Sequence, residues 1–372
     1  MFGRKRVYLD AAAGALPNPS SPHEEGRLAR EALERARAVI ARLVECKGDD
    51  VVFTASATEG NALAILGSVR AARKAGSAHV LYHPGAHASV VENVRILERE
   101  GVKTEPLTVR DGRVDIEALK QSLRPDTVLV SMDAVCGETG VVWNTRAVRT
   151  VLDAARGAGE PRILLHVDAS QAPFTEKLEK SHYGADLLVF DGSKLGSRGA
   201  GCLIAHRTIP LTPLYGGGAQ ERALVSGTQN VEAEEIFAEL LEEAAGSREP
   251  FVASARVERA ALIGALKGIE GLVVNEARAQ APQILNLSLP GRDTDYLVAL
   301  LDEAGFAVST RSACETDSEE GSRAVLALTG DLERAKATLR ISWGSGVGGR
   351  DLARFARALR RAVAFVDSAA HS

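Results

Sequence analysis

Runs of consecutive apolar residues alternate along the chain with stretches in which apolar residues recur every three or four positions. That pattern predicts strands buried on both faces, separated by covering helices. Strands are expected near Val51 to Thr54, Val80 to Tyr82, Val128 to Met132, Ile163 to Asp168, Leu187 to Phe190 and Cys202 to Ala205. A helix is expected from about Glu24 to Cys46, where Leu28, Ala32, Leu33, Ala36, Ile40 and Leu43 fall at helical spacing. Others are expected from Ala88 to Glu100 and Thr145 to Arg156, with one carrying Leu63, Ile65, Leu66 and Val69. Such alternation predicts an α/β fold with a mainly parallel, helix-covered sheet.

Beyond Thr228 the pattern changes. Helices are expected over Val231 to Ala245 and Pro250 to Lys267, then strands at Ile284 to Leu289, Phe306 to Ser309 and Leu339 to Trp343. This places a boundary near Gly246, with a large domain before it and a smaller α+β C-terminal domain after it. No internal repeat or low-complexity tract is evident.

Composition narrows the function classes. A chain of 372 residues, 45% hydrophobic and 25% charged, has ample core for two such domains. A net charge of -4 gives no electrostatic footprint for nucleic acid, and no direct nucleic-acid partner is expected. Cys46, Cys136, Cys202 and Cys314 are too dispersed for a disulfide framework, which makes the reducing cytoplasm the expected location. No apolar run is long enough for a membrane helix, and no membrane partner is expected. His79, His83 and His87 are four apart, yet a strand-like run and Pro84-Gly85 break the single helix a metal stripe would need, so no metal site is expected.

Candidate chemistry lies at the predicted strand ends, where ligands bind in open α/β sheets. Lys194 follows Leu187 to Phe190 in Asp191-Gly192-Ser193-Lys194, and Asp168 closes the strand 26 residues earlier. An amine and a carboxylate so placed suit pyridoxal phosphate: the amine holds the aldehyde as a Schiff base, and the carboxylate keeps the ring nitrogen protonated. Gln171 could reach the phenolic oxygen of the same ring. Upstream, Ser56-Ala57-Thr58 opens a helix after a short strand, leaving backbone amides and a hydroxyl for a phosphate dianion. Downstream, Cys314 lies on a polar segment and Arg340 in a strand-like run. Gly216-Gly217-Gly218 marks a loop, either a close backbone approach or a connector.

Read together and in order, from Val7-Tyr8-Leu9-Asp10 to about Val366, these segments resemble the cysteine desulfurases of the class V aminotransferase group, whose fold is that of the pyridoxal-phosphate-dependent transferases. The resemblance implies a large cofactor-binding domain over 13–246 and a small domain over 247–372, the latter joined by the N-terminal segment 1–12. It implies that Lys194 carries the cofactor, Asp168 pairs with its pyridinium, Gln171 faces the ring hydroxyl and His87 stacks on the ring. Ala57 and Thr58 match the phosphate-binding turn, and Thr228, in Ser226-Gly227-Thr228, matches a residue that reaches the phosphate of the neighbouring subunit of a homodimer. Arg340 matches the arginine that grips the substrate carboxylate, and Cys314 the nucleophile that accepts sulfur from L-cysteine as a persulfide. An iron–sulfur scaffold or a tRNA-thiolation carrier is the implied acceptor.

The chain also departs from the family. Asp191-Gly192-Ser193-Lys194 replaces Ser-Gly-His-Lys, which sets a carboxylate where a hydroxyl binds phosphate. Two unit charges 4 Å apart repel by about 4 kcal/mol at an effective dielectric of 20, so Asp191 is expected to turn away or to pair with Arg198. Cys136-Gly137-Glu138-Thr139-Gly140 lacks the family's asparagine pair, and Val225 replaces an arginine, so weaker cofactor binding is expected. The acidic residues Glu315, Asp317, Glu319 and Glu320 oppose ionisation of Cys314 while Arg311 favours it, which suggests that the thiol gives up its proton only at the cofactor, to His87. Alternative readings are selenocysteine lyase, another β-elimination or aminotransfer, and a lapsed site in a binding or scaffold protein.

Overall fold

The computed structural model describes residues 7–73, 77–155, 157, 162–310 and 321–369. Its strands are β1 (Val51–Thr54), β2 (His79–Tyr82) and β3 (Lys103–Pro106), then a small hairpin of β4 (Val109–Arg110) and β5 (Arg113–Val114). β6 (Thr127–Asp133), β7 (Leu164–Asp168), β8 (Leu187–Asp191) and β9 (Gly201–Ala205) follow. The seven-stranded sheet runs in the order β1-β9-β8-β7-β6-β2-β3. Strand β9 is antiparallel to both neighbours and the remaining pairs are parallel. The reversal has a simple cause: the connection from β8 to β9 is far too short for a crossover, so the chain can only turn back.

The apolar runs are what a sheet covered on both faces requires. Successive residues point to opposite sides, and Phe53 joins one buried cluster with Ile40, Val130 and Leu188 while Val52 joins the other with Leu63, Leu129 and Val189. Helices Glu24–Leu43 and Thr145–Ala155 cover the first face. The helical stretch from Ala57 and the helix Ala88–Arg99 cover the second. That stretch is helix Ala57–Ala62, a buried π turn at Leu63–Gly67 and helix Ser68–Arg73.

A second, antiparallel sheet is formed by β10 (Val273–Val274), β11 (Ile284–Ser288) and β12 (Thr338–Ser342) in that order. Leu285, Leu287 and Leu339 pack there with Leu297 of helix Thr294–Glu303, Phe355 and Leu359 of helix Gly349–Ala369, and Leu262.

Two expectations need correction. The helices expected before and after Gly246 are one helix, Val231–Leu266, with Pro250 inside it. Pro250 and Gly246 are both exposed, so the carbonyl that loses its donor can be hydrated, while buried Phe237 and Leu241 on one side and Leu262 and Leu266 on the other hold both halves. The strand expected at Phe306 to Ser309 is reduced to one bridge, Ser309 to Arg340. We propose that the division into 13–246 and 247–372 stands, with this single helix carrying the chain from one unit to the other.

Candidate active site

The C-terminal ends of the parallel strands gather most of the residues singled out from the sequence. Asp168 ends β7, directly opposite Asp133 at the end of β6. Helix Ala57–Ala62 begins two residues after β1, and the 3-10 turn Gly192–Lys194 follows β8. His87 caps helix Ala88–Arg99, a few residues after β2.

Asp168 is buried and firmly held. Its Oδ1 accepts the Ser170 N–H at 2.9 Å and the Ser170 hydroxyl at 2.6 Å, and its Oδ2 accepts the Asn61 amide at 2.7 Å. Three donors suit a carboxylate and leave Oδ2 with capacity for one more. The same Asn61 Nδ2 donates to Ser89 Oγ at 2.8 Å, and Asn61 Oδ1 lies 3.1 Å from His166 Nε2. Burial pushes His166 down to about 4, with Asp168 opposing the shift, so the ring is neutral there.

Lys194 is exposed, and its amine has no hydrogen-bond partner among the described residues. It is therefore available for a covalent partner, in the turn that follows the strand adjacent to the one that bears Asp168. Asp191 caps the turn that carries Lys194 by accepting the Ser193 N–H at 3.0 Å. It pairs with no cation among the described residues, so the expected neutralisation by Arg198 is not seen; the carboxylate is occupied with its own turn.

Gln171 and Arg340 converge on Gly137. A Cβ at Gly137 would lie 3.0 Å from Gln171 Nε2, and Arg340 Nη1 donates to the Gly137 carbonyl at 3.3 Å. Arg340 is held in β12 by pairing with Asn286 of β11 and, on its other edge, with Ser309. Gly140 packs against the segment that leads into β11: its carbonyl accepts from Ala281, and at φ +75° a Cβ would come within 2.5 Å of Gln280 Nε2.

Ala57 is buried and Thr58 exposed in the first turn of their helix, where backbone N–H groups lack helical acceptors. This turn sits down on β9 because Gly201 has no side chain, a Cβ there falling 2.9 Å from the Ser56 carbonyl carbon. Thr228 is exposed, away from these residues in the chain, with Asn18 Nδ2 at 3.5 Å from its hydroxyl. Cys314 and Arg311 lie outside the described residues. These residues fit pyridoxal phosphate in one respect that is independent of sequence motifs: a buried carboxylate that accepts three hydrogen bonds and keeps an open lone pair stands next to the strand whose following turn delivers an unpaired amine.

Several site residues escaped the sequence reading. Asn61 and Ser89 look like ordinary helix residues, and only the fold shows them bonded to Asp168 and His87. Asp133 is buried at the strand end, where desolvation and then the Asp168 charge push it well above the usual carboxylate range, against the opposing pull of the His87 N–H and Arg323. A polar residue closing an apolar strand was its only trace in the sequence.

Comparison with known proteins identifies relatives along most of the chain. The family pattern described as Aminotransferase class-V matches residues 7–354. "Cysteine desulfurase IscS 1" of Archaeoglobus fulgidus is 32% identical over 88% of this chain and 84% of that protein. "Cysteine desulfurase IscS" of Salmonella arizonae is 35% identical over 89% of this chain and 81% of that protein. Among solved structures, a "NifS-like protein" superposes with a TM-score of 0.85 at 26% identity, covering 94% of this chain and 92% of that one. "SspA in complex with cysteine" gives 0.74 at 25% identity over 87% and 90%.

Proposed function

Because the chain belongs to the class V aminotransferases and, within them, to the cysteine desulfurases, we propose that it binds pyridoxal phosphate between Lys194 and Asp168 and passes the sulfur of L-cysteine to Cys314, releasing L-alanine. The observation that carries this reading is the pairing of an unpartnered Lys194 amine, just beyond the end of β8, with the buried Asp168 of adjacent β7. When bound, pyridoxal phosphate supplies an aldehyde for amine capture and a ring that accepts electrons.

The side chains supply the rest. Asp168, fixed by Asn61 and Ser170, is the acid that would hold a proton on the ring nitrogen, and Gln171 and His87 would help to hold the ring. Ala57 and Thr58 offer the phosphate a backbone amide and a hydroxyl, and Thr228 of a second copy completes that cradle in a homodimer. Arg340, half-buried beside Gly137, binds the substrate carboxylate. The Lys194 amine takes the substrate's α proton as the general base. The Cys314 thiolate then forms a bond to the substrate sulfur while the carbon–sulfur bond breaks; the bonding electrons stay with the carbon fragment, which takes up at its β carbon the proton the thiol gave up, regains its α proton from Lys194 and leaves as alanine.

The acceptor of the resulting persulfide is an iron–sulfur scaffold or a tRNA-thiolation carrier, and the setting is the cytoplasm. No helix among the described residues is long and apolar enough to cross a membrane. The test is an assay of alanine and protein persulfide from L-cysteine. Cys314→Ala should abolish persulfide, and Lys194→Ala should abolish both products and the yellow colour of bound cofactor. Pyruvate in place of alanine would overturn the reading in favour of elimination.

A further inference from the structure

We propose that Asn61 is a positioning residue that, acting through Ser89, keeps the proton of His87 on Nε2, so that the ring offers the pocket a donor and not a base. This rests on the placing of His87 in the active site given above, but the proton's location is read from hydrogen bonds alone.

The direction of each bond follows from what each atom can do. The Asn61 amide is 2.7 Å from Asp168 Oδ2, a carboxylate oxygen that can only accept, so this end of the side chain is the NH2 group. Its other proton goes to Ser89 Oγ at 2.8 Å. Asn61 Oδ1 accepts from His166 Nε2, and His166 Nδ1 in turn accepts from the Ser131 hydroxyl at 2.8 Å. Turning the amide over would set oxygen against carboxylate, so its orientation is fixed. Ser89 Oγ also lies 2.8 Å from His87 Nδ1, a contact whose direction depends on which of the two atoms carries the proton. The backbone settles it: the N–H of Ser89, which can only donate, points at the same Nδ1 at 3.2 Å, so the nitrogen accepts and the hydroxyl turns its own proton towards it.

His87 Nδ1 is thus an acceptor twice over, and the neutral ring carries its proton on Nε2. Nε2, on the opposite edge, has no partner among the described residues. A proton can be added only at Nδ1, which faces Ser89 and the helix end. His87 can therefore give a proton, or a hydrogen bond, to a developing negative charge beside it, but it is not set up to take the proton of a thiol. One amide couples the acid expected to pair with the ring nitrogen to the imidazole expected to lie over the ring.

The test is nitrogen NMR of the cofactor-free protein labelled with 15N-histidine, with the His87 signals assigned by their loss in His87→Gln. At neutral pH the wild type should show a protonated Nε2 and an unprotonated Nδ1. Ser89→Ala keeps the backbone donor and removes the hydroxyl that relays Asn61, so the pattern should hold in that variant and should stay the same when Asn61→Asp is added to it. Asn61→Asp replaces the donor to Ser89 with an acceptor; the hydroxyl should then turn round and draw the proton to His87 Nδ1. In the holoenzyme Asn61→Asp should lower kcat about 10²-fold, the scale of a misplaced proton donor, with KM for L-cysteine little changed. A wild-type ring protonated on Nδ1, or a folded Asn61→Asp protein with an unchanged His87 pattern, would overturn the proposal. Neither result depends on whether the protein desulfurates cysteine.

Discussion

Arg37 and Glu221 form a two-pronged ion pair in the interior, Nη1 to Oε2 at 2.9 Å and Nη2 to Oε1 at 2.8 Å, 184 residues apart in sequence. Glu221 also accepts the Phe53 N–H of β1 at 2.8 Å. It stands in a turn where Glu221, Arg222 and Ala223 all have positive φ, at 47°, 64° and 59°. Such backbone costs roughly 1–2 kcal/mol per residue outside glycine, and the pair is what pins it, just ahead of Thr228. Replacing Arg37 with methionine leaves the carboxylate buried without its cation and should destabilise the protein by about 3–5 kcal/mol. Denaturant unfolding measures this directly, and a loss below about 1 kcal/mol would show that the pair is dispensable.

Glu234, on the long helix, faces the same pair. Burial first, then the charge of Glu221, push its carboxyl up to about 8, with Arg37 pulling the other way and Glu34 adding a little upward. The acid is therefore uncharged at neutral pH. Because the folded value lies above the ordinary one, its contribution to stability is complete below about 4.5 and is lost as pH rises through about 8. Glu234→Gln should leave the melting temperature at pH 5 nearly unchanged and raise it at pH 9. Equal shifts at both pH values would point to packing and not to ionisation.

Gly137 stands where the family carries asparagine, and the structure shows the gap already filled. A Cβ there would meet Gln171 at Nε2, Cγ and Cδ, between 3.0 and 3.3 Å. Gly137→Asn should therefore push Gln171 away and weaken pyridoxal-phosphate binding by about tenfold, a modest overpacking penalty. Titration of cofactor-free protein gives the answer; tighter binding would mean that the asparagine contact is simply missing and can be restored.

Arg340 presents a planar fork that a lysine cannot reproduce. With Arg340→Lys the charge stays but the paired hydrogen bonds to a carboxylate are lost, and KM for L-cysteine should rise about tenfold or more with a smaller change in kcat. Steady-state kinetics decide the matter. An unchanged KM would remove Arg340 from carboxylate binding.

The sequence by itself determined the local elements and the order of the chemistry. Buried strands need unbroken apolar runs, so β1, β6, β7 and β8 lie close to where the runs put them, and each motif residue attached to a strand end went with it. Only the tertiary structure decided which ends meet. The reversal of β9, the merging of the two C-terminal helices into one and the shrinkage of Phe306 to Ser309 to a single bridge depend on neighbours far along the chain. So do the bonds from Asn61 to an aspartate 107 residues away and from Arg340 to a carbonyl 203 residues away. Hydrophobic periodicity specifies a face and a length; it carries no record of which polar atoms come within 3 Å once strands settle into register. For Asn61, Ser89 and Asp133, three unremarked polar residues in the sequence, the packing of two helix starts against the strand ends is what brought them together.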